Sequence, residues 1–315
     1  MFMTFGKIHA ALLLLLSMMV VLAGDPPCQA ASARIAQKSF ASPEAAAKAL
    51  VQAIRRHDIR QATAILGPGS RDIISSGDAV ADRGDRERFV RLYDEKLVVE
   101  GAESGRAVLS LGNEGYPFSI PLVKKGKVWR FDSAAGREEL LNRRIGRNEL
   151  QTIEVMRAYV DAQREYAEED RDGNGALEFA RKFRSMPGKR DGLYWEVKEG
   201  EKESPLGPLV ARAESEGYTK GKGEGRTPYH GYLFKILKGQ GKDAPGGAFD
   251  YLVNNRMILG FALLAYPAQY GSSGIMSFIV NQNGVVYQKN LGEESARAAA
   301  SMELFNPDPG WKSVQ

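Results

Sequence analysis

Apolar positions along the chain recur with two different periods, and the change from one to the other organises it. Ala47, Leu50, Val51 and Ile54 repeat at helical spacing behind Ser42-Pro43-Glu44. That tripeptide is an N-cap, a proline at the first helical position and an acid in the first turn, all suited to the exposed amides of a helix start. The pattern predicts a helix ending near His57-Asp58, a second over Ile59 to Leu66 stopped by Gly67-Pro68-Gly69, and a third around Asp85 to Glu95. From Leu97 short β-prone runs take over, at Leu97 to Val99, Ala107 to Leu109, Phe118 to Ile120 and Val128 to Phe131, with Gly-rich turns between them.

Arg137, Arg143, Arg144 and Arg147 then stand among Glu138, Glu139 and Glu149. A helix surface laced with ion pairs explains this run better than an anion-binding cluster. Asn148 with Gln151 three positions later has the form of a capping box. It predicts a long helix starting at Asn148, with Leu150, Ile153, Met156, Val160, Gln163 and Ala167 as its buried stripe. Periodicity is lost from about Ser185 to Tyr229, which predicts a long surface connection. Five strand candidates follow: Tyr232 to Leu237, Phe249 to Val253, Gly260 to Ala265, Ile275 to Val280 and Val285 to Gln288. Asn283-Gly284 between the last two predicts a tight hairpin, and a short Ala-rich helix is expected after Leu291. The domains expected are 34–136 and 137–315.

Composition fits a folded chain: of 315 residues, 43% are hydrophobic and 26% charged, which excludes global disorder. Residues 1–33 read as an export signal, with Lys7, an apolar run from Ala10 to Ala23 and the small residues Ala31-Ser32-Ala33 before the cut. The run is short of the roughly 20 residues that span a bilayer, so the expectation is a periplasmic or secreted protein with no stable membrane span; a retained anchor is the alternative. The single cysteine, Cys28, falls inside the signal, so the mature chain has no thiol, and Pro26-Pro27 before it argue against lipid attachment. The net charge of +4 comes from interspersed acids and bases. No basic block argues for nucleic acid.

Candidate chemistry is sparse. Asp170, Asp172 and Asn174 occupy the first, third and fifth positions of a calcium-type loop, with Gly175 at the sixth and Glu178 at the ninth. Arg181 stands at the twelfth, where such loops carry a bidentate carboxylate, so an Asx-rich turn ending the helix is preferred to a calcium site. The chain contains no H-E-x-x-H, G-x-S-x-G, Walker or dinucleotide motif. A hydrolase or metal-dependent enzyme using Asp170, Asp172 and Glu178 with His230 is the rival to a non-enzymatic interaction or assembly factor. His57 is expected to cap a helix end, and Ser272-Ser273 to form a turn that lacks a base. Within Asp191 to Trp195, Tyr194 and Trp195 are candidates for a binding lip for an envelope protein or glycan, or else for an aromatic staple holding the connection to the sheet.

Phe131-Asp132, Arg143 to Leu150, Asp191 to Trp195, Ser204 to Pro208 and Tyr270 to Gly274 together resemble the bacterial exported family called domain of unknown function 2950. That resemblance implies no activity. By element order the fold class expected is α+β. The N-terminal helices and curved antiparallel sheet are cystatin-like or nuclear-transport-factor-like. The C-terminal long helix on an antiparallel sheet is similar to a pilin or pseudopilin head, although an internal helix lacks the apolar half that packs a pilus filament.

Overall fold

The computed structural model describes residues 36–171, 173–218 and 227–314; the expected export signal lies outside them. The class is α+β. Ser42 starts α1 (Pro43–Arg55) by accepting from the Ala45 amide at 3.2 Å. Asp58 starts α2 (Ile59–Leu66) through the Gln61 amide. After the single turn α3 (Arg71–Ile74), α4 (Ala79–Glu95) begins six residues before the expected Asp85. Its cap is Asp78, and the polar run Asp82 to Arg88 offers no apolar stripe from which a helix could be read.

A meander follows: β1 (Leu97–Glu100), β2 (Arg106–Leu111), β3 (Tyr116–Pro117), β4 (Leu122–Lys125) and β5 (Val128–Phe131). Its pairings are antiparallel, in the order β1-β2-β4-β5 with β3 also on β2. No strand forms over Phe118 to Ile120. Those residues make a bend between β3 and β4 that drives Ile120 into the core beside Leu50, Ile65, Leu109 and Phe131.

α5 (Ser133–Tyr166) is 34 residues long, about 50 Å at 1.5 Å per residue. Asp132 caps it through the Ala135 amide. The helix start expected at Asn148 is therefore wrong. Asn148 lies mid-helix, 3% exposed, and its amide donates to the Ser273 carbonyl at 2.9 Å. The boundary expected between residues 136 and 137 also falls within α5. Early in the helix Leu140 packs on the first core, and later Ile153, Met156, Tyr159, Val160 and Tyr166 enter a second. Leu150, expected in the stripe, is 67% exposed. Gln163 is fully buried and pairs with the chain crossing beneath it, donating to Ala180 O and accepting from Ala180 N, both at 2.8 Å.

Beyond a connection that contains α6 (Gly207–Ser215) come β6 (Tyr232–Leu237), β7 (Gly239–Gln240), β8 (Phe249–Asp250), β9 (Leu252–Val253), β10 (Arg256–Met257), β11 (Ala262–Pro267), β12 (Met276–Asn281), β13 (Tyr287–Asn290), α7 (Ser295–Ser301), β14 (Leu304–Phe305) and β15 (Lys312–Ser313). The main sheet, β15-β13-β12-β11-β6, is antiparallel and lies under α5. A smaller β14-β7-β8 sheet includes one parallel pair. The β12–β13 hairpin forms with a tight turn at Asn281 to Gly284, though β13 starts at Tyr287, two residues after the expected Val285, and Asn283 does not take the positive backbone angle expected of it. Gly284 N donates to Asn281 O, and of Asn283 and Gly284 only the glycine has a positive φ, 78°.

Two glycines of α5 make opposite demands. A Cβ on Gly136 would meet the Ser119 carbonyl oxygen and stand 2.6 Å from Ile120 Cα, whereas Gly146 faces open space. Gly146→Ala should stabilise the fold by about 1 kcal/mol through helix propensity. Gly136→Ala should destabilise it by about 1–3 kcal/mol through overpacking, both read from urea unfolding midpoints. Equal effects of the two substitutions would remove the close approach as a constraint.

Candidate functional site

Polar groups from distant parts of the chain converge on Asp78. One carboxylate oxygen accepts from the Val80 and Ala81 amides at the start of α4, at 3.1 and 3.0 Å. The other accepts from Tyr218 Oη at 2.8 Å and from Gly231 N at 2.9 Å. A carboxylate 2% exposed is tolerable because four donors replace its water. The His230 amide in turn donates to Tyr218 Oη at 3.1 Å. The His230 ring packs on Tyr229 with centroids 4.1 Å apart, and its Nε2 lies 3.1 Å from a Glu216 carboxylate oxygen, off the direction of a good hydrogen bond. His230 holds a φ of 49°, a left-handed backbone that costs a residue with a side chain and persists because its neighbours fix it. Burial lowers the pKa of His230 despite the adjoining carboxylates of Glu216 and Asp78. Burial raises that of Tyr218, and that of Tyr229 to about 12. The Tyr218 hydroxyl both donates and accepts, so it is committed to the joint rather than open to a substrate.

His230 and Asp170 are not brought together. Gly231 lies against Asn148, while Asp170 follows the end of α5 at Ala167. That separates them by about 28 Å of helix, so the enzyme site that needed both is not formed. Asp172 lies outside the described residues. Asp170 uses both oxygens on the amides of Asn174 and Gly175, at 3.1 and 2.8 Å. Asn174 accepts from Ala176 N and donates to Glu178 Oε1 at 2.5 Å. Arg171 folds back to donate to the Glu165 and Tyr166 carbonyls, capping α5, and Arg181 donates to Asn255. Among the described residues no group of three His, Cys, Asp or Glu is arranged to hold a metal ion.

The aromatic loop is packed, not displayed. Trp195 is 8% exposed within the second core, with the Arg171 and Arg190 guanidinium groups 5.8 and 5.5 Å from its ring centre. Tyr194 is half-buried, with Arg184 at 5.0 Å. This is the staple arrangement. Ser273 is fully buried, its hydroxyl donating to Gln269 O and accepting from Gln269 N. His57, with φ 53°, follows the end of α1.

A different feature has the form of a ligand site. Helices α1 to α4, strands β2 and β3, the bend after β3 and the first half of α5 line a half-open cavity of about 380 Å³, within the range usual for small-ligand sites. Its apolar wall includes Leu50, Ile54, Leu66, Ile73, Phe89 and Leu111. Five arginines, 86, 88, 143, 144 and 147, also line it, with Asp82 and Asp85. Arg147 pairs with Asp85 at 2.9 Å and Arg143 with Glu139 at 2.6 Å. Arg144 donates to the Asp72 carbonyl at 2.7 Å and to the Ile73 carbonyl. Burial lowers its pKa, but a guanidinium remains charged. Arg86 donates to Ile74 O at 3.2 Å, while its Nε and the Ser119 hydroxyl are buried without hydrogen-bond partners.

A family model described as protein of unknown function (DUF2950) matches residues 37–314. The chain belongs to that family. No curated protein and no solved structure matches it, so the likeness to cystatin-like, nuclear-transport-factor-like or pilin-head folds rests on element order alone. Sequence reasoning missed the cavity in this family member because its wall comes from seven separate elements, α1 to α4, β2, β3 and α5, with the bend after β3. The one local signal was Arg86 and Arg88 flanking the apolar face of Phe89 and Leu92.

Two outcomes follow from this geometry. With the His230 pKa lowered from its ordinary 6.5, pH has no leverage above that value. As pH falls below it, the unfolded chain takes the proton first, and stability drops until the folded-state pKa is passed. His230→Asn, which tolerates the left-handed backbone, should flatten the thermal midpoint between about pH 7 and 5; an unchanged slope would assign the acid sensitivity elsewhere. For the acidic turn, the midpoint should be equal in chelator and in millimolar calcium. A rise of several degrees in calcium alone would assign it a native-state metal site.

Proposed function

We propose that this is an exported, non-catalytic protein of the bacterial envelope that works as a binding or interaction factor, and that its binding site is the cavity beneath α1 to α4. The observation that carries this reading is the cavity itself: an apolar interior of ligand size with buried polar atoms on Arg86 and Ser119 left without partners. Buried polar groups are normally satisfied, so their presence in a cavity wall favours a site completed by a ligand. Two of the residues considered for catalysis are in keeping with this reading, since the Ser273 hydroxyl is taken up by Gln269 and His230 lies far along α5 from Asp170. Export rests on the character of residues 1–33, and a periplasmic or secreted location follows from it.

Native mass spectrometry of the protein purified from its own envelope fraction tests both parts. The chain should begin at Arg34 and carry a non-covalent small-molecule mass that is lost on denaturation. Recovery from the cytoplasm with its first residues intact would remove export. A ligand-free chain whose thermal midpoint is also unmoved by a broad small-molecule panel would remove the binding role.

A further inference from the structure

Five arginines border the cavity, and three of them, Arg86, Arg88 and Arg144, make no ion pair with a carboxylate among the described residues. The two nearby aspartates are engaged. Asp82, 6% exposed, accepts from the Ser76 amide and hydroxyl, and Asp85 holds Arg147. The Arg144 charge is balanced only at a distance, by Asp82, Asp85 and Asp72. The unpartnered Arg86 Nε and Ser119 hydroxyl lie in the same wall. Two donors and an excess of positive charge border a chamber that is otherwise aliphatic and aromatic. Neither a purely apolar ligand nor a small inorganic anion suits this combination: the first would leave the donors unmet, the second the apolar volume unfilled.

We infer that the cavity takes a single-chain amphiphilic carboxylate of the fatty-acid class, its hydrocarbon tail among Leu50, Leu66, Phe89 and Leu111 and its carboxylate at the wall that carries Arg86 and Ser119. A guanidinium presents a planar fork of donors that matches a carboxylate. A headgroup at this wall has the buried Nε and the hydroxyl as its candidate donors. This inference rests on the binding role proposed above and adds the chemical class of the ligand.

The test is calorimetric titration of the full chain, stripped of ligand, with decanoate, decanol and acetate below micelle-forming concentrations. Decanoate should bind with a stoichiometry of one and at least tenfold more tightly than decanol, acetate should not bind, and added salt should weaken decanoate alone. Arg86→Gln, with an unchanged thermal midpoint, should weaken decanoate about tenfold and leave decanol unaltered. Because Arg86 also holds Ile74 O, Ser119→Ala gives a second reading with less risk to the fold, and should weaken decanoate several-fold. Equal binding of decanoate and decanol overturns the carboxylate assignment while leaving the binding role standing. The same holds if neither binds but the native protein carries a ligand of another class. If neither binds and the native protein carries none, the binding role falls as well.

Discussion

The rest of the structure depends on one helix having to satisfy two cores at once. α5 emerges from β5 with its first turns pressed so closely on the β3–β4 bend that residue 136 has no room for a side chain. Its last turns are embedded in a sheet built from residues more than sixty positions further along the chain. Between these ends it cannot bend away from either. Its middle carries polar residues that grip the β11–β12 connection, with Asn148 holding Ser273 and Glu149 accepting the Ile275 and Met276 amides at 3.0 and 2.9 Å. Long-range bonds of this kind convert a stiff rod into a reference frame for both cores.

The Asp78 joint is the second fastening, and it works by a different principle. A helix start has amides to satisfy and a positive end to neutralise. Asp78 does both with one oxygen, which leaves the other free to bind Tyr218 and Gly231. One buried charge thus fixes the beginning of α4 and the approach to β6. The same helix supplies Arg86 and Arg88 to the cavity. Cavity wall and joint therefore share an element, and the register of α4 sets the position of both.

Legibility followed sequence distance. α2 and β6 have the bounds expected from their local pattern, because caps, stop signals and alternation are written in neighbouring residues. Asn148 misled because its amide bonds a carbonyl 125 residues away instead of its own helix start. Only the tertiary partner separates the two uses of the same side chain. Trp195 offered a staple and a binding lip until its burial in the second core, with two arginines near its ring, was known. The cavity was the least legible feature. Its chemistry lies in what Arg86 and Ser119 do not bond to, and an absence of partners leaves no pattern along the chain.

The placement of the three tryptophans has an optical consequence. Trp129 belongs to the first core, whereas Trp195 and Trp311 belong to the second. All three residues are 5–8% exposed, and each ring has a lysine or arginine cation within 6.0 Å of its centre. Emission from the indoles is thus partitioned between the two halves of the molecule, two fluorophores to one. A chain stripped of Trp195 and Trp311 by phenylalanine substitution retains a single intrinsic probe, lodged in the same core as the cavity. Loosening of that half can then be watched in isolation, without any added dye.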